Sequence, residues 1–301
     1  LDPRSKIQDL RITRTSLAIL LVAGSISLLR ADEPTSSPPS LVRLNLLAAV
    51  DKPVAGLEIA ELIYDTSLPM EGLLGTVLVC PGQNGDGAHL LLDQVWLDWA
   101  KREQLALVAT RFVSPDYLLL QGQGYFAPSP DLNRLLLHGL RSLGYPDTSL
   151  YLHGFSGGAR FISAFLESDP ERVAAFSVLG AREWPNLPEL ATASFPPGVI
   201  ACGELDGNRL APTLAFFQQG RRAGLPWIWV MLPDHPHRSS APLDEFVRAT
   251  FSCISRQSGT ALPVDHTRYE PVSDFSDVSP LLTSILPCSE LLPSWLALQQ
   301  R

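Results

Sequence analysis

The chain has 301 residues, of which 46% are hydrophobic and 18% charged, with a formal net charge of -8 at neutral pH. That length and apolar content bury one large core or two modest ones, and they exclude a disordered chain. An acidic balance without any Lys/Arg cluster repels phosphate backbones, so nucleic acid is not an expected partner.

In chain order, Arg4, Lys6, Arg11 and Arg14 precede an uncharged run from Thr15 to Leu29, and Arg30-Ala31-Asp32 then opens the polar stretch "EPTSSPPS". A basic start, a short apolar centre and a polar exit read as a secretory signal peptide over 1–31. A membrane anchor is the alternative, although the run is shorter than the roughly 20 apolar residues that span a bilayer. Cleavage follows Ala31 or, as a second candidate, Gly24. A Ser/Pro-rich linker occupies 32–40. The expected location is secreted or periplasmic, or anchored to the cell envelope if the segment is retained, with no membrane span in the mature form.

From Leu41 onward, strand-like and helix-like patterns alternate. Candidate strands cover Leu41 to Ala48, Leu57 to Tyr64, Thr76 to Cys80, Leu105 to Thr110, Ser149 to His153, Val173 to Leu179, Val199 to Cys202 and Trp227 to Leu232. Candidate helices cover Leu91 to Glu103, Pro130 to Leu143, Gly158 to Glu167, Leu210 to Ala223 and Leu243 to Phe251. The second has clear end signals: Ser129 as N-cap, Pro130 in the first turn and Gly144 at the close. This alternation predicts an α/β fold, a mostly parallel eight-stranded sheet with helices on both faces, over 41–254. Ligands of such sheets bind at the carboxyl ends of the strands. The remainder, 255–301, reads as a Pro/Ser-rich tail packed on the domain, with Trp295 near its end.

Cys80 and Cys202 fall inside apolar strands and read as small buried thiols. Cys253 and Cys288 lie outside the strands and are free to pair in an oxidising compartment. No cysteine spacing is of the CxxC type, and His89, His138 and His266 stand alone, so no metal is expected.

The stretch "SLYLHGFSGGAR", Ser149 to Arg160, passes from a strand through Gly154-Phe155-Ser156-Gly157-Gly158 into a helix. This G-x-S-x-G turn lifts a serine hydroxyl above the sheet edge, and residues two either side must lack side chains so that strand and helix can approach. Ser156 is the candidate nucleophile. A serine needs a base and a group that orients the base. The strand ending at Cys202 leads into "GELDGNR", with Asp206 as candidate acid and Glu204 competing. The strand ending at Leu232 leads into "PDHPHRSS", with His237 as candidate base and His235 as the alternative. Candidate oxyanion donors are the backbone N–H groups of Gly157 and of Gln83, or else Asn84, in "CPGQNGDG". That loop lacks the Gly-Lys-Ser/Thr of a phosphate cradle. His153, just before the elbow, reads as a buried, hydrogen-bonded histidine.

These motifs, "VLVCPGQNGDG", "LYLHGFSGGARF", "ACGELDGNR" and "LPDHPHRSSAPLDEF", resemble the α/β-hydrolase superfamily over roughly Leu41 to Phe251. The closest likeness is to compact secreted esterases of the polyhydroxybutyrate depolymerase and feruloyl esterase type. The resemblance implies a serine esterase that works through a Ser-His-Asp triad and an acyl-enzyme, without cofactor. The oxyanion loop departs from the His-Gly start of many relatives, and the final histidine lacks the preceding glycine common among them. Between Gly180 and Gly198 the chain is too short for a large cap, so an open site taking bulky or polymeric esters as well as small ones is expected. A peptidase on the same fold and a non-catalytic secreted binding protein are the alternatives.

Overall fold

The computed structural model describes residues 40–49, 54–66, 71–184, 195–257, 259–273 and 278–299. The leader expected over 1–31 and the linker up to residue 39 lie outside the described residues. Strand β1 (Leu41–Asn45) is followed by a 3-10 turn, then β2 (Ile59–Asp65) and β3 (Gly75–Cys80). Helices α1 (Ala88–Leu91) and α2 (Gln94–Arg102) lead to β4 (Leu105–Val113), α3 (Asp116–Leu119) and α4 (Pro130–Ser142). Next come β5 (Leu150–Phe155), α5 (Gly157–Ser168), β6 (Val173–Leu179), β7 (Gly198–Gly203), α6 (Leu210–Arg222), β8 (Trp227–Leu232) and α7 (Ala241–Ser255). The chain continues through β9 (Leu262–Asp265), β10 (Glu270–Pro271), β11 (Thr283–Leu286) and α8 (Leu292–Gln299).

The first eight strands form one sheet in the order β1-β2-β4-β3-β5-β6-β7-β8. Strands β1 and β2 run antiparallel to their neighbours, and the six from β4 to β8 are parallel. Every residue of β3 and β7 is buried, as expected of strands covered on both faces. One apolar layer, with Phe161, Phe165, Phe176, Phe217 and Trp227, fills one side; Trp96, Trp99, Phe246, Phe251 and Trp295 fill the other. Each such buried aromatic contributes on the order of 2–3 kcal/mol of apolar transfer free energy.

Two expected elements are shorter than the sequence pattern predicts. The strand expected to Ala48 stops at Asn45, whose side-chain Oδ1 accepts from the Leu47 N–H at 3.0 Å and turns the chain. The helix expected over 91–103 breaks at Asp93, whose carboxylate accepts from the Val95 N–H at 2.8 Å and so starts α2 afresh.

The segment after Cys253 carries more order than its composition suggests. Strands β9, β10 and β11 form a second small sheet in the order β10-β9-β11. This unit is pinned to β8: the Trp229 N–H donates to Ser284 Oγ at 2.8 Å, while the Trp295 indole and Gln299 amide both donate to the Trp229 carbonyl at 3.0 Å. A disulfide joins Cys253 on α7 to Cys288 ahead of α8, across a sequence separation of 35. Loop-entropy arguments put the effect of such a cross-link at about 3–4 kcal/mol. Cys80 and Cys202 are free and buried, and burial pushes both thiols up to about 12. Among the described residues no helix is long and apolar enough to cross a membrane.

Candidate active site

The sheet order reverses at β3, which lies between β4 and β5 and pairs in register with β5, Cys80 opposite Gly154. The loops that leave these two strands therefore face each other at the carboxyl edge, which is where a crevice opens in a sheet of this kind. One loop brings Gln83, the other Ser156.

Ser156 sits at φ 52° and ψ -112°, a strained backbone for a residue with a Cβ. The strain is held from both sides. A Cβ on Gly158 would stand 2.0 Å from the Cys80 carbonyl oxygen, and one on Gly154 would stand 2.8 Å from the Ala159 nitrogen. Only glycine lets α5 approach the sheet this closely, and that approach holds Ser156 at the turn.

The acid and the histidine come from strands further along. Asp206 follows β7 and is 4% exposed. His237 follows β8 and reaches back over the ends of β7 and β6. Its Nε2 lies 2.8 Å from Ser156 Oγ, and its Nδ1 lies 2.9 Å from Asp206 Oδ2. A carboxylate only accepts, so Nδ1 carries the hydrogen and Nε2 is left to accept from the serine hydroxyl. The Phe155 ring packs on the imidazole at 4.8 Å, and Arg209 donates to the other Asp206 oxygen at 3.3 Å. The end of β6 passes beneath this pair. There Gly180 takes φ +61°, and a Cβ on it would be 2.6 Å from Asp206 Oδ2 and 3.3 Å from His237 Nδ1.

The competing candidates point elsewhere. His235 is partly buried, and its Nε2 is 3.1 Å from the Arg238 carbonyl; its backbone carbonyl, which accepts from the Leu205 N–H at 3.0 Å, ties it to the loop after β7. Two residues later the chain has turned, and His237 takes the inward position. Glu204 is exposed and accepts from the Asp234 N–H at 3.0 Å.

The Gly157 and Gln83 backbones meet at the mouth of the crevice: a Cβ on Gly157 would be 2.6 Å from the Gln83 nitrogen. The Gly157 N–H opens α5 and has no partner within the helix. The polar groups of the alternative donor Asn84 are engaged elsewhere. Its N–H donates to the Tyr125 hydroxyl at 2.8 Å, its Oδ1 accepts from the Ser114 N–H at 3.1 Å, and its amide donates to the Ser114 carbonyl and to Asp116. Asn84 takes φ 53°, a left-handed conformation that asparagine tolerates, and it fastens the loop after β3 to the segment after β4. Gln83 adds a side-chain bond to Asp116 at 3.0 Å.

The resulting cleft has a volume of about 120 Å³ and opens beside Ser156, lined by the apolar Leu119, Leu120 and Phe126 and by the charged Arg160, Arg182, Glu183 and Arg209. Sequence reasoning missed Tyr125, Ser114 and Asp116, which carry no motif, as well as Arg160 and Gly180. His153 lies 7% exposed, packed at 5.2 Å against Trp96, with Nε2 3.3 Å from Asp244. Among the described residues no group of histidine, cysteine and carboxylate side chains could hold a metal ion.

No protein-family model matches the chain, and no curated protein sequence matches it significantly. Solved structures do. The substrate-bound serine hydrolase FphF of Staphylococcus aureus superposes with a TM-score of 0.50 at 14% identity, covering 73% of this chain and 99% of that one. S-formylglutathione hydrolase (FrmB) from Staphylococcus aureus gives 0.51 at 13% identity, over 73% of this chain and 98% of that one. Esterase PE8 gives 0.50 at 18% identity, over 60% and 94%. At these identities the likeness is one of fold: the chain has the α/β-hydrolase fold, without a large cap among its described residues.

Proposed function

We propose that the protein is a serine hydrolase that cleaves carboxylic esters. The observation that carries this reading is the unbroken line of contacts from Ser156 Oγ through the His237 ring to Asp206, at 2.8 and 2.9 Å. A serine hydroxyl is a poor nucleophile until a base takes its proton, and the base works in the required tautomer only when a third group orients it. Similarity to structures described as a serine hydrolase and esterases agrees with this reading.

In the first step His237 Nε2 accepts the Ser156 proton as Oγ bonds to the ester carbonyl carbon. The negative charge that forms on the carbonyl oxygen is held by the N–H groups of Gln83 and Gly157. The imidazolium then gives its proton to the leaving alcohol oxygen as the C–O bond breaks. In the second step water attacks the acyl-enzyme, its proton passes to His237 and on to Ser156, and a carboxylic acid leaves. Asp206 accepts from Nδ1 and keeps that proton in place. No step calls on a cofactor.

The exported location belongs to the same proposal. The disulfide between Cys253 on α7 and Cys288 supports an oxidising compartment, where such bridges persist.

The decisive experiment is labelling with a fluorophosphonate probe, followed by peptide mass analysis. The expected adduct is on Ser156; it disappears in Ser156→Ala and His237→Ala and persists in His235→Ala. A folded protein that forms no adduct would refute the hydrolase reading.

A further inference from the structure

The charged groups that line the cleft, Arg160, Arg182, Glu183 and Arg209, take no part in the reaction outlined above, and of these Arg160 stands nearest to Ser156 in the chain. It stands four residues after Ser156, so it rises from α5 on the face that Ser156 caps, about one helical turn, ~5–6 Å, from the nucleophile. Its Nε and Nη1 are buried and have no hydrogen-bond partner among the described residues. Two donors that have lost water without gaining a partner among the described residues are costly. Burial accordingly holds its pKa below the usual arginine value, and the carboxylates Glu183 and Glu167 oppose the shift only through space.

The surroundings of Arg160 match its charge in an unusual way. The protein as a whole is acidic, at -8, yet the charged side chains that line this cleft are three arginines, Arg160, Arg182 and Arg209, against the single carboxylate Glu183. Arg209 is partly neutralised by Asp206, and Glu183 reaches across toward Gly122, where its Oε2 is 3.5 Å from the place a Cβ would occupy. What remains along the cleft are the guanidinium groups of Arg160 and Arg182. A local reversal of sign inside an acidic molecule attracts an anion, and a planar fork of N–H donors fits a carboxylate.

Resting on the ester-hydrolase reading, we propose that the preferred substrate is an ester that also bears a free carboxylate a few bonds from the scissile carbonyl, and that Arg160 is the residue that binds this carboxylate. The apolar Leu119, Leu120 and Phe126 then take the carbon skeleton between the two ends. The carboxylate belongs either to the acyl part or to the alcohol part, and the two arms of the test separate these.

The acyl arm compares monomethyl glutarate with methyl valerate, and the alcohol arm compares 4-carboxyphenyl butyrate with phenyl butyrate, each followed by acid release. In one arm the anionic ester is expected to have a kcat/KM at least about tenfold above its neutral partner, a difference of the size one charge-assisted contact provides. Arg160→Met is expected to abolish that ratio, a quantity that a general loss of activity does not move. Its thermal stability should be equal to or above that of the parent, because two buried donors that lack a partner among the described residues are removed. Equal or higher efficiency on the neutral ester in both arms, or an unchanged ratio in Arg160→Met, would overturn the proposal and leave the hydrolase reading intact. Should no ester be cleaved at all, the hydrolase reading fails, and the anion site is read by itself through calorimetric titration of monomethyl glutarate into Ser156→Ala. Binding there that is lost in Ser156→Ala with Arg160→Met supports the site; absence of binding overturns it.

Discussion

The two flanks of Ser156 are built on opposite plans. On the side of β7 and β8, the groups that meet the serine are side chains in direct contact, His237 with Ser156 and Asp206 with His237. On the side of β3 and β4, what faces the serine is backbone, the Gln83 nitrogen beside Gly157, and the side chains act at one remove. Tyr125 holds Asn84, and Asn84 holds the loop on which Gln83 stands. A flank made of side chains fails when one of them is cut. A flank made of backbone fails only as far as its supports let it move.

The largest effects therefore belong to the first flank. Under the proposed mechanism, Ser156→Ala or His237→Ala lowers kcat by about 10⁴ to 10⁶, while His235→Ala, which removes a ring bonded to the Arg238 carbonyl and not to Ser156, stays within about threefold. Steady-state kinetics on a simple aryl ester checks both. A fall of equal size in His235→Ala would erase the distinction between the two histidines and, with it, the account of this flank.

A smaller effect, still on the first flank, comes from a residue that touches neither substrate nor proton. Gly180→Ala puts a methyl group 2.6 Å from Asp206 Oδ2, at a backbone φ of +61° that alanine dislikes. The carboxylate must move, and the imidazole moves with it. A displacement on that scale costs on the order of 10² in kcat, together with about 1–3 kcal/mol of stability. Kinetics and a thermal melt on the same sample separate the two losses.

The difference between the flanks is also a difference in what the sequence discloses. That Ser156, Asp206 and His237 come together was readable because each follows a strand in the chain order that the fold uses, and because a serine in so sharp a turn needs glycine at 154 and 158. The choice between His235 and His237 was not readable. It depends on the loop after β7 hydrogen-bonding the His235 carbonyl, a contact between residues 30 positions apart. The engagement of the Asn84 N–H was hidden for the same reason, since its partner is Tyr125, 41 positions away. Likewise the eight strands of the main sheet carried apolar runs long enough to see, whereas β9, β10 and β11, of four, two and four residues, hold their places through Trp229 and the disulfide rather than through any pattern of their own.

On the second flank the expected losses are moderate. Tyr125→Phe removes the acceptor of the Asn84 N–H and leaves that buried donor unsatisfied, a cost of about 1–3 kcal/mol. The hydroxyl sits too far back to touch substrate, so its loss loosens the Gln83 N–H without deleting it. The fall in kcat should be about tenfold, below the 10² to 10³ that follows outright loss of an oxyanion donor, with KM little changed. Burial pushes the Tyr125 phenol up to about 12, so the hydroxyl stays protonated through any accessible assay pH, and the size of the defect should not vary between pH 6 and 9. A defect that grows with pH would mean that the tyrosine takes part in proton transfer, and the division between the flanks would no longer hold.

The smallest effect is the sharpest test of that division. Gln83 is the residue nearest to where the oxyanion would form, and by its position alone its replacement should be severe. Its side-chain amide, however, is bonded to Asp116, and its backbone nitrogen lies beside Gly157. Gln83→Ala keeps the N–H, and Asn84 keeps the loop in place through its own four hydrogen bonds to Tyr125, Ser114 and Asp116. The expected loss in kcat/KM is within about threefold, the size of a lost exposed polar contact. A loss approaching that of an oxyanion donor would show that the Gln83 amide itself turns inward to the substrate, so that both flanks act through side chains.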